Sequence, residues 1–473
     1  MKPSGALSPI LSLAVLGWIL AASSVSGQAA AMTPAAMQEG IEFVVSKIQT
    51  VHPMARDRLP AATVAAADAA RAKIGGPLPS SSYYFILSEL VASLRDAHSQ
   101  VHLQPDRAAA FPALPLPFVW LEDGMVLSED AGPFQRGDAV VSIGGQSPEE
   151  IFRNLSRVLS TENDYHLRAI APHTLVRQEY LDHLGLIDSS GKVSIRIRHH
   201  GELQEIRLAL EQDPRKPDEK PLFQFEIDPD RSLGIFRIDS CLYSEEYKTK
   251  LHEFMTAVDA RRIQRILIDL RHNTGGNILA AFAFLNYLDA EYRSFSVRQR
   301  ISEAFMEQYA HFAREDFLKL LSGYGVDPAS KFYSLPGGAV QAVMNQMLEH
   351  SGPAVEERLK FRGELYVLTS NATFSSANLF ASLIQDNHLG QIVGEPTGNE
   401  VNFHGQPVRF DIPGTDFQLQ LATSRNVRPD PSRENQEAVF PDIPVPTTAE
   451  DVRIGRDPQI GHLKHAVLEH PDG

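Results

Sequence analysis

The sequence predicts a mixed α/β fold of the α+β kind: a parallel-sheet core preceded by a helical region and a β-rich insert. Three observations carry this. Leu233-Gly-Ile-Phe-Arg-Ile238 and Arg265-Ile-Leu-Ile-Asp-Leu270 are apolar strands flanking a helical stretch from about Glu245 to Ala260. That spacing implies a crossover between parallel strands. Leu365-Tyr-Val-Leu-Thr369, the stretch 376–386 and Gln391-Ile-Val-Gly394 repeat it. Between Pro112 and Gln212 the pattern changes instead to short alternating strands with Asp-Gly and Gly-Gly turns.

At 473 residues the chain has room for roughly three domains. It is 43% hydrophobic and 22% charged, an ordinary globular composition. A net charge of −15 would repel a phosphate backbone. Arg196 and Arg198 alternate with Ile195 and Ile197 and read as the solvated face of a strand, so nucleic acid is not an expected partner. The single cysteine, Cys241, excludes an internal disulfide and reads as a small buried hydrophobe.

Residues 1–27 read as an export signal. Lys2 precedes an apolar run from Leu7 to Ala22, and the small residues of Ser23-Ser-Val-Ser-Gly27 suit cleavage near Gly27. The run is shorter than the ~20 residues that span a bilayer, and no cysteine lies near the cleavage site to carry a lipid. The expected product is soluble and exported, periplasmic or secreted, with no stable membrane span after cleavage.

Residues 28–107 read as an N-terminal helical region, with helices predicted over 37–51, 63–74 and 83–94. The last stops at Arg95-Asp-Ala-His-Ser99, and Val101-His-Leu103 resumes as a strand. Residues 108–212 form the β-rich module, in which Ser147-Pro-Glu-Glu150 opens a helix with proline and acidic residues in its first turn. The charge-and-proline run 213–221 reads as a linker. Residues 222–473 form the core, with residues 294–362 predicted as a helical insertion that could cover a cleft. Phosphate-binding glycine loops and a paired-histidine zinc helix motif are absent. His199-His200 and the His462, His465 pair belong to no recognisable ligand set, so neither a metal nor a cofactor is expected.

Two segments about a hundred residues apart concentrate the chemistry. Ile266-Leu-Ile-Asp-Leu-Arg-His-Asn-Thr-Gly-Gly276 is a buried strand running into a glycine pair whose N–H groups can approach a ligand closely. Leu368-Thr-Ser-Asn-Ala-Thr-Phe-Ser-Ser-Ala-Asn378 is a strand running into a helix with two serines at the corner. Ser375 and Ser376 alone would read as helix caps, and Asp269 with Arg271 as a structural ion pair. Together the segments offer what acyl transfer needs, a hydroxyl nucleophile beside an oxyanion hole.

The ordered set Asp269-Leu-Arg-x-Asn-x-Gly-Gly276, Thr373-Phe-Ser-Ser-Ala-Asn378, Gly394-Glu-Pro-Thr397 and Phe440-Pro-Asp-Ile-Pro-Val445 resembles the C-terminal-processing (tail-specific) and tricorn-like serine peptidases. The resemblance runs from about Leu233 to the end and implies a crotonase/ClpP-like core. It places the nucleophile at Ser375 and the oxyanion hole at the N–H groups of Ser376 with Gly275 or Gly276. The tail-specific branch takes a lysine just after the Gly-Glu-Pro-Thr motif as its base. Here that stretch is Gly398-Asn-Glu-Val401, which excludes a Ser-Lys dyad in that register. The tricorn-like branch takes a histidine from an N-terminal helical region, and Leu94-Arg-Asp-Ala-His-Ser-Gln100 matches it at His98. An imidazole near its reference pKa of ~6.5 suits proton abstraction near neutrality. The same branch implies a glutamate orienting the histidine, at Glu434, or at Glu437 if the register shifts. Its serine before the histidine is Ala97 here, with Ser99 following as a supporting residue.

Phe134-Gln-Arg-Gly-Asp-Ala-Val-Val-Ser-Ile-Gly-Gly145 resembles the PDZ-like module of such peptidases, although a carboxylate-binding loop is not evident in 112–121. The implied function is an exported serine peptidase acting on polypeptides or peptides, with homo-oligomerisation left open. Two alternatives use the same fold: a non-proteolytic binder of an apolar ligand, and an esterase or amidase of small substrates.

Overall fold

The computed structural model describes residues 31–103, 112–212, 220–308, 331–351 and 354–469, with 322, 323, 325 and 327 between them. The export signal therefore lies outside the described residues, as does most of the 213–221 linker.

A six-stranded sheet forms the core, in the spatial order Ile443–Pro444, Gln391–Gly394, Glu364–Thr369, Arg265–Asp269, Leu233–Ile238 and Phe223–Asp228. All neighbours are parallel except the last pair. Both crossovers expected from the sequence are present: Ile235 lies opposite Leu267, and Leu368 opposite Val393. Near-continuous apolar strands such as Arg265-Ile-Leu-Ile-Asp269 follow from burial on both faces. The helices Glu245–Ala260 and Ser376–Asp386 cover the sheet.

A second sheet is antiparallel. The long strand Phe417–Val427 sits within it, pairing with Gln100–Leu103, Ser296–Arg300 and His404–Asp411, and Phe332–Leu335 pairs in turn with Ser296–Arg300. The insertion is thus not helical alone. Its alternating strands Ser296–Arg300 and Phe332–Leu335 extend this sheet, beside the helices Glu303–Gln308 and Gly337–Ser351.

The N-terminal helices are Pro34–Val51, Ala61–Ala72 and Ser80–Ala92, each within a few residues of its expected range. Thr33 caps the first, with proline at its first turn. The module is a five-stranded antiparallel sheet, Phe118–Leu121, Gly124–Leu127, Ala139–Ile143, Lys192–His199 and Glu202–Ala209. Ser147 and Glu150 form a reciprocal capping box at its helix Pro148–Leu155. Val193, Ile195 and Ile197 are buried while Arg196 and Arg198 face solvent.

The N-terminal helices and the module share one apolar core, and the helices of the parallel sheet share another. The functional site lies on the seam. The seam is held by the Gln100–Leu103 strand, with Gln100 opposite Gln420. Arg300 adds to it by donating to the carbonyls of Gln49 and His52, each at 2.8 Å. Among the described residues no helix is long and apolar enough to cross a membrane.

Candidate active site

Ser375 occupies the turn between the Glu364–Thr369 strand and the Ser376–Asp386 helix. Its φ is +55° and its ψ −121°, and its hydroxyl caps no helix N–H. A serine held in this disfavoured conformation projects its Oγ clear of the backbone, as a strained strand-to-helix elbow does. Two contacts hold the turn. The Ser375 N–H donates to Asn399 Oδ1, and the Phe374 N–H donates to the Asn273 carbonyl at 3.0 Å.

His98 arrives from the other core. The chain leaves the Ser80–Ala92 helix, turns at Arg95 with φ +50°, and enters the Gln100–Leu103 strand. His98 Nε2 lies 3.0 Å from Ser375 Oγ, although 277 residues separate them in sequence. The ring is stacked between Phe374 and Phe403, at 4.8 and 5.5 Å between centroids, so its plane is fixed by packing. Gln420 donates to the His98 carbonyl at 3.0 Å.

Asp96 organises this turn. Its Oδ1 accepts the His98 N–H at 2.9 Å, and its Oδ2 accepts from Ser99 Oγ and from His52 Nε2, the latter at 2.9 Å. His52 Nδ1 accepts the Met54 N–H, so the His52 proton sits on Nε2 and points at Asp96. Burial alone would raise the Asp96 carboxyl. The His52 hydrogen bond and the fields of His404, His52 and His98 outweigh it and hold the group below the carboxylate range. Burial lowers the pKa of His98, with the Asp96 charge opposing. Burial takes His404 and His166 down to about 3 each. Burial thus favours the neutral imidazole at His98, His166 and His404.

The glycine pair lies against the nucleophile. A Cβ on Gly275 would come within 2.6 Å of Ser375 Cβ, and one on Gly276 within 2.7 Å of the Cys241 carbonyl. Their φ values, +104° and +135°, also require glycine. Of the two glycines expected as alternative oxyanion donors beside Ser376, Gly275 is already engaged: its N–H donates to Asn273 Oδ1 at 2.8 Å. The Gly276 N–H and the Ser376 N–H at the first turn of its helix make no hydrogen bond among the described residues. Ser376 Oγ donates to the Gly276 carbonyl at 2.9 Å and locks the two segments together. Cys241 is buried, with its thiol pushed up to about 12 by burial. Its backbone brackets the glycines instead: its N–H donates to Gly275 and its carbonyl accepts from Asn277. Asp269 and Arg271 form the expected ion pair at 2.7 Å, joined by Asp457.

Glu434 and Glu437 do not join the histidine. Both side chains are exposed, because the Pro431–Arg433 turn directs them outward while Asn402 and Asn163 bind their backbone carbonyls. His98 Nδ1 is buried without a hydrogen-bond partner among the described residues. Ser99 supports Asp96 rather than His98, and also accepts the Ala422 N–H at 3.0 Å.

Sequence reasoning missed Asp96, His52, Asn399 and Glu162. Asp96 stood two residues before His98 inside the motif, and Asn399 stood where a lysine was sought. Glu162 and His52 carried no local signal. Ligand-capable atoms of His52, Asp96 and His404 lie within 4.8 Å of one another, but both His52 nitrogens are committed to hydrogen bonds. The geometry is that of a buried hydrogen-bond network.

A cavity of about 470 Å³ opens beside Ser375, His98 and Gly276. Phe295, Tyr333, Leu335, Met344 and Met347 from the insertion and Phe403 from the core supply apolar wall. The insertion therefore builds one side of the cleft.

The model of peptidase family S41 matches residues 232–445, a little under half of the chain. Residues 232–445 are a peptidase family S41 domain. The family is one of serine-type peptidases. The S41 domain holds Ser375 and the glycine pair, whereas His98 lies outside the matched residues. Among solved structures, mature CPAF complexed with lactacystin is 18% identical, with a TM-score of 0.66 over 92% of this chain and 98% of that one. Uncomplexed mature CPAF gives the same identity and TM-score over 92% and 96%. The photosystem II D1 C-terminal processing protease is 14% identical, with a TM-score of 0.43 over 88% and 94%. The CPAF likeness shows that the whole architecture, helical region and module included, occurs as one fold. No curated protein sequence matches the chain.

Proposed function

We propose that this chain is an exported serine peptidase in which Ser375 is the nucleophile, His98 the general base, and the N–H groups of Gly276 and Ser376 the oxyanion hole. One observation carries the reading: the 3.0 Å contact from His98 Nε2 to Ser375 Oγ, made across the seam between two cores. Chance does not favour a buried neutral imidazole in line with a hydroxyl on a strained elbow.

As Ser375 Oγ attacks the peptide carbonyl, its proton passes to His98 Nε2. The carbonyl oxygen, now anionic, swings toward Gly276 and Ser376, where each N–H donor is worth about 3–4 kcal/mol of barrier. His98 then gives the proton to the departing amine, and water repeats the sequence to release the acyl group. The low imidazole pKa suits this role, since His98 must start neutral.

The apolar cavity would receive a bulky aliphatic or aromatic side chain next to the scissile bond. The module, which we read as PDZ-like, would present the substrate as an added strand. The Leu7–Gly27 segment supports export, and full-length protein followed through fractionation of a secreting host checks it by mature mass and location. The peptidase reading predicts hydrolysis of an unbiased peptide library by the parent and none by Ser375→Ala. Hydrolysis undiminished in Ser375→Ala, or small esters cleaved while every peptide is spared, would refute it.

A further inference from the structure

Glu162 belongs to neither the nucleophile's domain nor the histidine's helix. It lies on the Ser160–Asn163 segment of the module and is 3% exposed. Its Oε2 accepts two N–H groups, from Asn399 Nδ2 at 2.8 Å and from the Glu400 backbone at 2.9 Å. Asn399 in turn accepts the Ser375 N–H through its own Oδ1. The Arg95 guanidinium donates to the Glu162 carbonyl at 3.2 Å, tying the segment to the turn that carries His98.

The other carboxylate oxygen, Oε1, is buried with no hydrogen-bond partner among the described residues, and so is His98 Nδ1. Ligand-capable atoms of Glu162, His98 and Asp96 all lie within 4.8 Å of one another. A buried carboxylate oxygen and a buried ring nitrogen, each without a hydrogen-bond partner among the described residues, thus belong to residues that approach one another closely. Catalytic hydrogen bonds are often long in a substrate-free enzyme and tighten in the complex.

The geometry points to Glu162 as the positioning residue for His98, its free Oε1 accepting the Nδ1–H and so keeping Nε2 unprotonated toward Ser375. The inference rests on the Ser375–His98 reading above. It gives the module a direct part in catalysis: the segment between its helices Pro148–Leu155 and Asp164–Leu175 supplies the carboxylate that the exposed Glu434 and Glu437 do not. Burial, aided by the Asp96 charge, raises the Glu162 pKa well above its ordinary value. Because two N–H groups occupy Oε2, any proton the carboxyl takes sits on Oε1, where it would donate to Nδ1 and force the unproductive tautomer. Activity therefore needs the form in which Glu162 is ionised and His98 neutral, and it appears as pH rises. The other titratable groups around the pair are Asp96, His52, His404, His166 and Glu400.

Glu162→Gln is the test. Its amide oxygen retains the Asn399 and Glu400 bonds, so its NH2 must face His98 Nδ1 and the tautomer inverts. The expected result in the full-length protein is a drop of about 10³-fold in kcat, with KM within about threefold. The acidic limb of the pH–rate profile should move to lower pH, because an anion that favours imidazolium has been removed. A Glu162→Gln enzyme with parental kcat and pH profile overturns the inference and leaves Glu162 as a brace for Asn399. Should the variant not fold, selective 15N-histidine spectra of the parent decide. A protonated Nδ1 with a bare Nε2 at His98 supports the inference, and the reverse tautomer overturns it. A fluorophosphonate that labels the parent separates these outcomes from failure of the Ser375–His98 reading, in which the parent itself is not labelled.

Discussion

A single methyl group at position 275 should disable this site. In Gly275→Ala the new Cβ would lie 2.6 Å from Ser375 Cβ, and 3.0 Å from both the Phe374 carbonyl and the Ser376 nitrogen. Non-bonded carbons settle at about 3.5 Å or more, so one side must yield by about 1 Å. The glycine cannot retreat easily, because its N–H is tied to Asn273 and its carbonyl to Cys241. Ser375 moves instead, and its 3.0 Å contact with His98 opens beyond hydrogen-bond reach. A displacement of that size costs on the order of 10²-fold in rate. Alanine at φ +104° adds about 1–3 kcal/mol of destabilisation. Two assays read this out: the second-order rate of fluorophosphonate labelling, and urea unfolding of the same preparation. Labelling within threefold of the parent, with unchanged stability, would refute the claim that the Gly-Gly turn abuts the nucleophile.

Other expectations follow from the same contacts. Asp96→Asn leaves an amide NH2 against either the His98 N–H or the His52 and Ser99 donors, and should destabilise the fold by about 3 kcal/mol or more; a shift below 1 kcal/mol in denaturant titration counts against the network. Because the Asp96 pKa is depressed in the fold, its stabilisation is present above the unfolded value of ~3.9 and is lost as pH falls through the lower folded value. His166 and His404, held neutral down to about 3, add to this, since below about pH 6.5 the unfolded chain binds protons that the fold refuses. Stability should fall by up to about 1.4 kcal/mol per pH unit per histidine on acidification, and a flat melting temperature from pH 7 to 4 would contradict it. Met344→Lys places a charge in the apolar cavity wall and should raise KM for peptides with bulky apolar residues at the cleavage site at least tenfold, while fluorophosphonate labelling persists; equal loss of both would place Met344 elsewhere.

Much of the core was readable because its signals are local. Buried parallel strands read as unbroken apolar runs such as Ile266-Leu-Ile, and the crossover helices fall at the spacing that handedness and loop length demand. Ser375 and Gly276 were accessible for the same reason, each lying at the end of such a strand. His98 needed a family resemblance, because nothing near it in sequence shows that a Gln100–Leu103 strand will pair with Phe417–Val427. Glu162 and His52 were invisible: each is an ordinary polar residue until a distant segment buries it. Glu434 illustrates the converse. Its distance from the final Pro-Asp motif suggested a partner for histidine, whereas the direction of its side chain is set by the Pro431–Arg433 turn, which spacing alone does not reveal. The choice between Gly275 and Gly276 stayed open because the capture of the Gly275 N–H by Asn273, two residues earlier, is a feature of turn geometry rather than residue type.

The central claim is that a histidine from one core activates a serine from the other. Intact-mass analysis and peptide mapping after fluorophosphonate treatment test it directly, comparing the parent with His98→Ala. The account predicts one adduct per chain, located at Ser375, with labelling slowed about 10³-fold or more when His98 is removed. An adduct on any other residue, or labelling of Ser375 at an undiminished rate in His98→Ala, would contradict it.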